Sequence, residues 1–597
     1  MVDIVLTILC LSGFIYASHR WLKIDFSCAP LFSVSLLGIL LFIFAVSNQL
    51  ETGTRTLIYT GYILSAICGI DVWHSQNTGQ SFIPVKLFML FVSLIVISYL
   101  ITLGMKFTVI DDYVYWGIMG KYLYINNSLP MIANPLDTRI LAYTPGTALI
   151  HYFFYVLVGK YSVSISYFAQ NIILISSLFI VTKKENIQKS IVYICMLIFL
   201  LTVFFGSIFT KLQVDYLLSI ILFSVFWSYY NEKNIYLKLL VISMPTCFLF
   251  LIKEIGFILG LLILVIIFFD VVLNKTCDKK NKFKTVMFII IIVALLFVLK
   301  KLWMSHVSSM GFVEFHSAVN WASIKTTLHI FSDKQIQNGF LIFIKEIFIG
   351  SADRLNIPYV LWYIFIVFLG YQIFKKSQVQ ERSRLFLFSG LLLISFFFYL
   401  FLLYCLQIIV FGLGSSSEYT IGFARYLNIL FSPIVFIVII SFFHLLVLKQ
   451  REVRKKTSIY LMVIIVLVLF FSRVEVSLHR DKQDIQIQEI SEQIVNKLNH
   501  NIHSIAVIAE QEDGVANLQF LYHLLPNKVD YKVKKITNNA QLKAYIVKYD
   551  YILLYYPNVL ILEWIKSYTK DISTNPINFF RVQQTKTDNI LLTEITL

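Results

Sequence analysis

Long apolar runs dominate the chain, separated by short polar or basic stretches. Runs fall near 2–17, 30–47, 57–73, 85–104, 162–181, 190–206, 214–231, 235–252, 255–273, 284–303, 356–374, 384–411, 426–448 and 457–473. A helix crossing a hydrocarbon core of ~30 Å takes roughly 20 apolar residues, so the pattern predicts about fourteen transmembrane helices. Gly146 to Gly159 is also apolar, but it is short, and counting it would invert the side of every later loop. It reads instead as an interfacial helix on the outer surface of the membrane.

Basic residues assign the sides. Lys183, Lys184 and Lys189 share one loop, and Lys275, Lys279, Lys280, Lys282 and Lys284 another. Lys375, Lys376, Arg382 and Arg384 mark a third, and Lys449, Arg451, Arg454, Lys455 and Lys456 a fourth. With these spans all four loops fall on one side, which the positive-inside rule makes the cytoplasm. The loop after Gly104, the Ser415–Arg425 loop and the tail after Phe471 then lie outside. Lys233 and the 275–284 cluster also require one side, so the chain must turn between 235–252 and 255–273. Lys253 and Glu254 are the polar residues available for that turn.

The pattern changes near Glu475. "SIAVIA" and "YILLYY" read as buried strands, and "DIQIQEISEQIVNKLNH" and "ILEWIKSYTK" as amphipathic helices, so the tail is a small α/β domain. The expected division is therefore 1–84 as additional N-terminal transmembrane helices and 85–474 as a transmembrane core with a first outer loop at 105–161. Residues 475–597 form the extracytoplasmic domain.

Composition agrees. Of 597 residues 58% are hydrophobic and 14% charged, more apolar surface than a soluble domain can hide. The net charge of +16 then reflects cytoplasmic loops rather than nucleic-acid binding. Ile4 to Ala17 resembles a signal peptide in length, but no A-x-A-like cleavage site follows and further spans come at once, so it reads as retained. The seven cysteines lie mostly in spans without CxxC or Cys/His spacing, which signals neither a disulfide scaffold nor a zinc site. GxGxxG and Walker sequences are missing as well. His306, His316 and His329 lack ligand spacing and read as surface residues.

Candidate chemistry gathers at the outer edge. "TVIDDYVYWGIMGKYLY" puts Asp111 and Asp112 just past a span, before Trp116 and a Tyr-rich segment. Carboxylates there are solvated, paired or functional. They would suit the N-terminus of a loop helix, and since neighbours in a helix do not share a face, one can enter a cleft while the other caps or supports it. The Trp and Tyr fit an interfacial aromatic belt or stacking on sugar rings. "LAYTPGTALIHYFF" follows, with Tyr143 opening a Tyr-x-Pro-Gly-Thr turn. "GSIFTKLQVDYLLSI" starts a span at Asp215, "FLIKEIGF" holds Lys253 and Glu254, and "SSSEYTIGFARYLNI" holds Glu418, Arg425 and Tyr426.

In order, these segments resemble bacterial membrane glycosyltransferases of the GT-C superfamily. One branch carries Asp-Glu-x-x-x-Trp-Gly, then Tyr-Pro-Pro-Gly-Thr, Leu-x-Lys-Glu-x-Gly and a late Glu-Tyr…Arg-Tyr segment. The chain departs at Asp112, where Glu is usual, and at Thr144, where Pro is usual. The similarity covers residues 85 to 597 and leaves the first three spans aside. It implies a multi-pass protein of the bacterial plasma membrane, with its site and tail outside. Such an enzyme would be a hexosyl- or pentosyltransferase moving a sugar from a polyprenyl-phosphate-linked donor to a glycan, lipid or protein acceptor of the cell envelope. Asp111 would be the general base and Asp112 its supporting or metal-binding neighbour. Arg425, then Lys253, would meet the phosphate charge. Asp215 would hold a metal or orient donor or acceptor, and Trp116, Tyr143, Glu254, Glu418 and Tyr426 would line the substrates. Metal use differs across the superfamily, and these carboxylates suit a hard divalent cation or none.

Other classes predict other patterns. An envelope polysaccharide polymerase or ligase would rely on a large outer loop late in the chain. A lipid-linked sugar transporter or flippase would break its spans at mid-membrane in paired halves. A membrane scaffold would leave the aspartates dispensable.

Overall fold

The computed structural model describes residues 2–597 except 79–83, 108, 132–142, 183–186, 233, 274–278, 311–320, 329–332, 352–353, 378, 416, 418, 421, 449–481, 499–501, 510–514, 531–535, 537, 570–574 and 585–589. The chain forms two compact units: Met1–Gly104 with Ala142–Arg473, and Met105–Leu141 with Val474–Leu597. The division differs from the expected one, because Met105–Leu141, the first part of the loop expected outside, groups with the tail rather than with the helical unit.

The first unit is helical. It begins with α1 (Val2–Arg20), α2 (Ala29–Val46), α3 (Leu50–Thr78) and α4 (Val85–Thr102). In the second unit the chain forms α5 (Ile118–Asn126). It re-enters the first with α6 (Gly146–Val158), α7 (Val163–Leu178), α8 (Ile187–Phe205), α9 (Asp215–Asn231), α10 (Ile235–Ile252), α11 (Ile255–Leu273) and α12 (Lys279–Ser309). Then come α13 (Trp321–Thr327), α14 (Lys334–Ile349), α15 (Tyr359–Lys376), α16 (Val379–Ile409) and α17 (Phe423–Leu448).

Ten of the described helices are long and apolar enough to span a bilayer, which makes this a multi-pass membrane protein. The expected spans 2–17, 214–231 and 356–374 also fall on helices, namely α1, α9 and α15, which are not among those ten. The expected span 457–473 lies outside the described residues. Within the unit α10 packs on α2, α9 and α11, and α9 on α17.

The expected interfacial helix is a correction. α6 does not lie on a surface: Tyr152, Phe153 and Tyr155 are fully buried, and the helix packs against α2 and α7. The reason is in its sequence, "GTALIHYFFYVLV", which is apolar on every face. A helix without a polar face is buried on all sides.

The second unit holds a five-stranded sheet. Its elements are α18 (Lys482–Lys497), β1 (Ser504–Ala509), α19 (Val515–Leu524), β2 (Lys528–Asp530) and α20 (Asn539–Ile546), then β3 (Tyr551–Tyr555), α21 (Val559–Lys566), β4 (Ile577–Gln584) and β5 (Ile590–Ile595). The order is β2-β1-β3-β4-β5; β1 is parallel to β2 and β3, while β4 and β5 are antiparallel. The expected strands "SIAVIA" and "YILLYY" are β1 and β3, paired Ile505 to Tyr551 through Ala509 to Tyr555. Their side chains alternate between two buried faces. Ala506, Ile508, Ile552 and Leu554 meet Leu542 and Ile546 of α20 and Ile561 and Ile565 of α21. On the other face Phe520 of α19 sets its ring edge against Tyr555.

Candidate functional site

Of the five segments expected at the outer edge, four lie in the first unit, and those of Asp215, Lys253 and Arg425 meet there. α10 ends at Ile252, Lys253 adopts an extended conformation, and α11 begins at once, so the chain reverses over two residues. The turn closes with the Gly256 amide donating to the Lys253 carbonyl at 2.8 Å. Gly256 is required by the closeness of that reversal: a Cβ there would lie 1.9 Å from the Leu249 carbonyl oxygen. The Tyr-x-Pro-Gly-Thr turn rests on the same place. A Cβ on Gly146 would lie 2.4 Å from the Leu251 carbonyl oxygen. Tyr143, half-buried, stands just before that turn.

Asp215 opens α9, where a carboxylate favours the positive end of the helix. Its side chain is 2% exposed. Lys253 Nζ lies 2.6 Å from Asp215 Oδ1, and Arg425 Nε lies 2.9 Å from Asp215 Oδ2. Tyr426 completes the cluster. Lys253 Nζ sits 4.8 Å from its ring centre and the Arg425 guanidinium 5.2 Å, both within cation–π range. The Arg425 guanidinium also donates to the Tyr426 hydroxyl at 3.4 Å. Two cations thus share one buried carboxylate, and Arg425 keeps 35% of its side-chain surface. Each Asp215 oxygen faces its own cation, an arrangement that suits a fixed positive cluster rather than a divalent-metal ligand. Among the described residues, no group of three His, Cys, Asp or Glu side chains could hold a metal ion. Glu254 adjoins the cluster in sequence and is half-buried. Glu418 lies outside the described residues.

Residues unmarked by the sequence reading support this cluster. The Tyr399 hydroxyl donates to the Tyr426 carbonyl at 2.7 Å, fixing the start of α17 against α16. A buried chain links α6 to the loop before Asp215. His151 Nε2 lies 3.2 Å from Gln170 Oε1, and Gln170 Nε2 donates to the Gln213 carbonyl and the Tyr216 hydroxyl, each at 3.3 Å. Tyr216 in turn donates to the Lys211 carbonyl. Polar side chains inside spans were the available signal, since a buried His or Gln needs partners.

Asp111 and Asp112 belong to the second unit. Asp112 begins a π-helical turn, Asp112–Gly117, that runs into α5. Such turns are widened and frequent at functional sites. Asp112 is fully buried, whereas Asp111 is half-buried, so the two do face differently. Trp116 is buried within the turn. α19 of the tail holds the segment. Tyr522 packs edge-on against Phe107 and Tyr113, and the Tyr113 hydroxyl donates to the Phe107 carbonyl at 2.9 Å. Lys121 of α5 donates to the Tyr522 carbonyl at 2.7 Å and lies over the Tyr522 ring.

Burial pushes the Lys121 ammonium down to about 7 from its ordinary value of 10.5. Between those values the unfolded chain binds a proton that the folded unit does not, so this residue makes stability rise with pH across that window. The difference in Tm between wild type and Lys121→Met in detergent should therefore shift in favour of wild type as pH rises from about 7 toward 10. A difference independent of pH would show that the ammonium stays charged.

Comparison with family models, curated proteins and solved structures finds no match to this chain. The helices and the site define a multi-pass membrane protein with a small sheet domain and a buried, doubly cation-paired carboxylate.

Proposed function

We propose that the protein is a GT-C-like glycosyltransferase of the bacterial plasma membrane. It takes a sugar from a polyprenyl-phosphate-linked donor and passes it to an envelope glycan, lipid or protein on the extracytoplasmic side. The observation that carries the reading is the Asp215–Lys253–Arg425 cluster with Tyr426, assembled from motifs 38 and more residues apart. In the proposed reaction the acceptor hydroxyl attacks the anomeric carbon as the bond from that carbon to the phosphate oxygen breaks. Arg425 and Lys253 meet the charge that develops on the departing lipid phosphate, and the hydroxyl proton passes to a carboxylate base, the role that the resemblance gives Asp111. A guanidinium matches phosphate oxygens in a fork, which favours Arg425 for the closer contact. Asp215 holds both cations in place before the donor arrives, so that little reorganisation accompanies the reaction.

Binding of a polyprenyl monophosphate to the full-length protein in nanodiscs tests the cluster. The phosphate should bind and the corresponding polyprenol should not. A hydrogen bond to a charged group contributes about 1.5–3 kcal/mol, so Arg425→Gln should weaken binding by roughly 10- to 100-fold. Equal binding of alcohol and phosphate, or an Arg425→Gln protein that binds as well as wild type, would remove the reading.

A further inference from the structure

The four helices α9, α15, α16 and α17 leave a cavity of about 500 Å³ between them. It lies at the end of the first unit opposite Asp215. Trp227, which lines it, follows Asp215 by twelve residues on α9, about 18 Å along the axis. Its size is in the range of small-molecule sites, ~300–1,000 Å³. The walls are mainly apolar: Trp227, Phe374, Phe388 and Ile437 line it, with Ser377 and Ser441 among the few polar groups.

A basic turn stands at one edge of this cavity. Lys375, Lys376 and Arg382 stand there, where α15 ends and α16 begins. Arg382 is built into the edge rather than loose upon it. Its guanidinium donates to the carbonyls of Ser377, at 3.2 Å, and Lys375, at 3.0 Å, and lies 5.6 Å from the centre of the Phe374 ring. Ser377 and Phe374 are themselves cavity walls. Lys376 lies over Phe442 of α17, 5.4 Å from the ring centre. Phe386 and Phe374, at the same place, remain exposed to the surroundings of the bundle.

An apolar slot between membrane helices, open at its side and edged by fixed cations, complements one kind of molecule: a lipid with apolar chains and an anionic head. We infer that the cavity is a binding site for an anionic phospholipid of the leaflet next to the basic turn. An acyl chain occupies the space beside Trp227 and Ile437, and the phosphate meets Lys376 and Arg382. Basic pockets between transmembrane helices hold anionic head groups in this way. This site goes beyond the sugar-transfer reading, with which it shares no residue, and it stands whether or not that reading holds.

Trp227 supplies the reporter. Full-length protein is placed in phosphatidylcholine nanodiscs carrying equal mole fractions of either dibrominated phosphatidylglycerol or dibrominated phosphatidylcholine. The Trp227 share of fluorescence is wild type minus Trp227→Phe. Its quenching should be several-fold greater with the anionic lipid. In the double variant Lys376→Gln/Arg382→Gln the preference should vanish, and Ser441→Phe, which fills the space, should reduce quenching by both lipids. The charge variants lie at the membrane edge and keep the test open if Ser441→Phe does not fold. Equal quenching by the two lipids in wild type would overturn the inference, as would a preference that survives loss of both cations. Displacement of the brominated phosphatidylglycerol by an equal amount of polyprenyl phosphate would also overturn it, assigning the cavity to a different lipid.

Discussion

Under the proposed reaction, with Asp111 as its base, Asp111→Asn should lower sugar transfer by roughly 10²–10⁴-fold, the usual contribution of a general base. The protein should accumulate at its normal level. The two aspartates differ in a way that makes the comparison informative. Asp111 is half-buried at the start of the π-turn, so an isosteric amide there disturbs little packing. Asp112 is fully buried, and its replacement alters a group held within the fold. Asp112→Asn should therefore lower the melting temperature as well as transfer, while Asp111→Asn should lower transfer alone. Envelope glycan composition in cells, read beside protein level and Tm, separates the two effects. If both variants glycosylate fully at normal abundance, neither carboxylate takes part in the reaction.

Asp215→Ala should be among the most destabilising single changes in the first unit. Removing one partner of a buried ion pair costs about 3–5 kcal/mol, because the other charge is left without compensation. Lys253 is 12% exposed and, among the described residues, would keep the Tyr426 ring beside it. Arg425 is more open, so its share of the cost is smaller. The lower end of that range is expected. If the orphaned ammonium is the cause, Asp215→Ala/Lys253→Met should recover much of the loss, since a paired charge replaced by apolar groups is often near neutral. Thermal melts of the four proteins of this cycle in one detergent measure the coupling. A double variant less stable than Asp215→Ala alone would place the cost elsewhere, in the start of α9 itself.

Much of the membrane unit was legible because the apolar runs are long and their breaks are charged. Asp215, Lys253 and Arg425 stood out for the same reason, being charged residues in apolar surroundings that tolerate few. Gly146 and Gly256, whose bare backbones let α6, α10 and α11 approach, seat the Tyr-x-Pro-Gly-Thr turn beside the Lys253 reversal. Other features left no comparable trace. Tyr399 is one aromatic among many in α16, and only its contact with the Tyr426 carbonyl distinguishes it. The burial of α6 did leave a trace, a sequence with no polar face, but its shortness obscured it. In the tail, β1 and β3 are central, apolar strands and were readable, whereas β4 and β5 went unmarked: β5 is an edge strand that alternates buried and open residues, and β4 mixes polar with apolar ones. The pairing of the Asp111 segment with α19 joins residues hundreds of positions apart, and local pattern carries no record of it.

That last pairing sets an order of events during synthesis. Lys121 and Tyr522 are separated by 401 residues. At ~5–20 residues per second a ribosome takes roughly 20–80 s to make the intervening chain. For that interval Phe107, Tyr113 and Lys121 exist without the surface they fold against. A chain cut short before α19 inserts its helices but lacks the partner that orders its acidic pair. Completion of the polypeptide through α19 is thus a condition for assembling the segment.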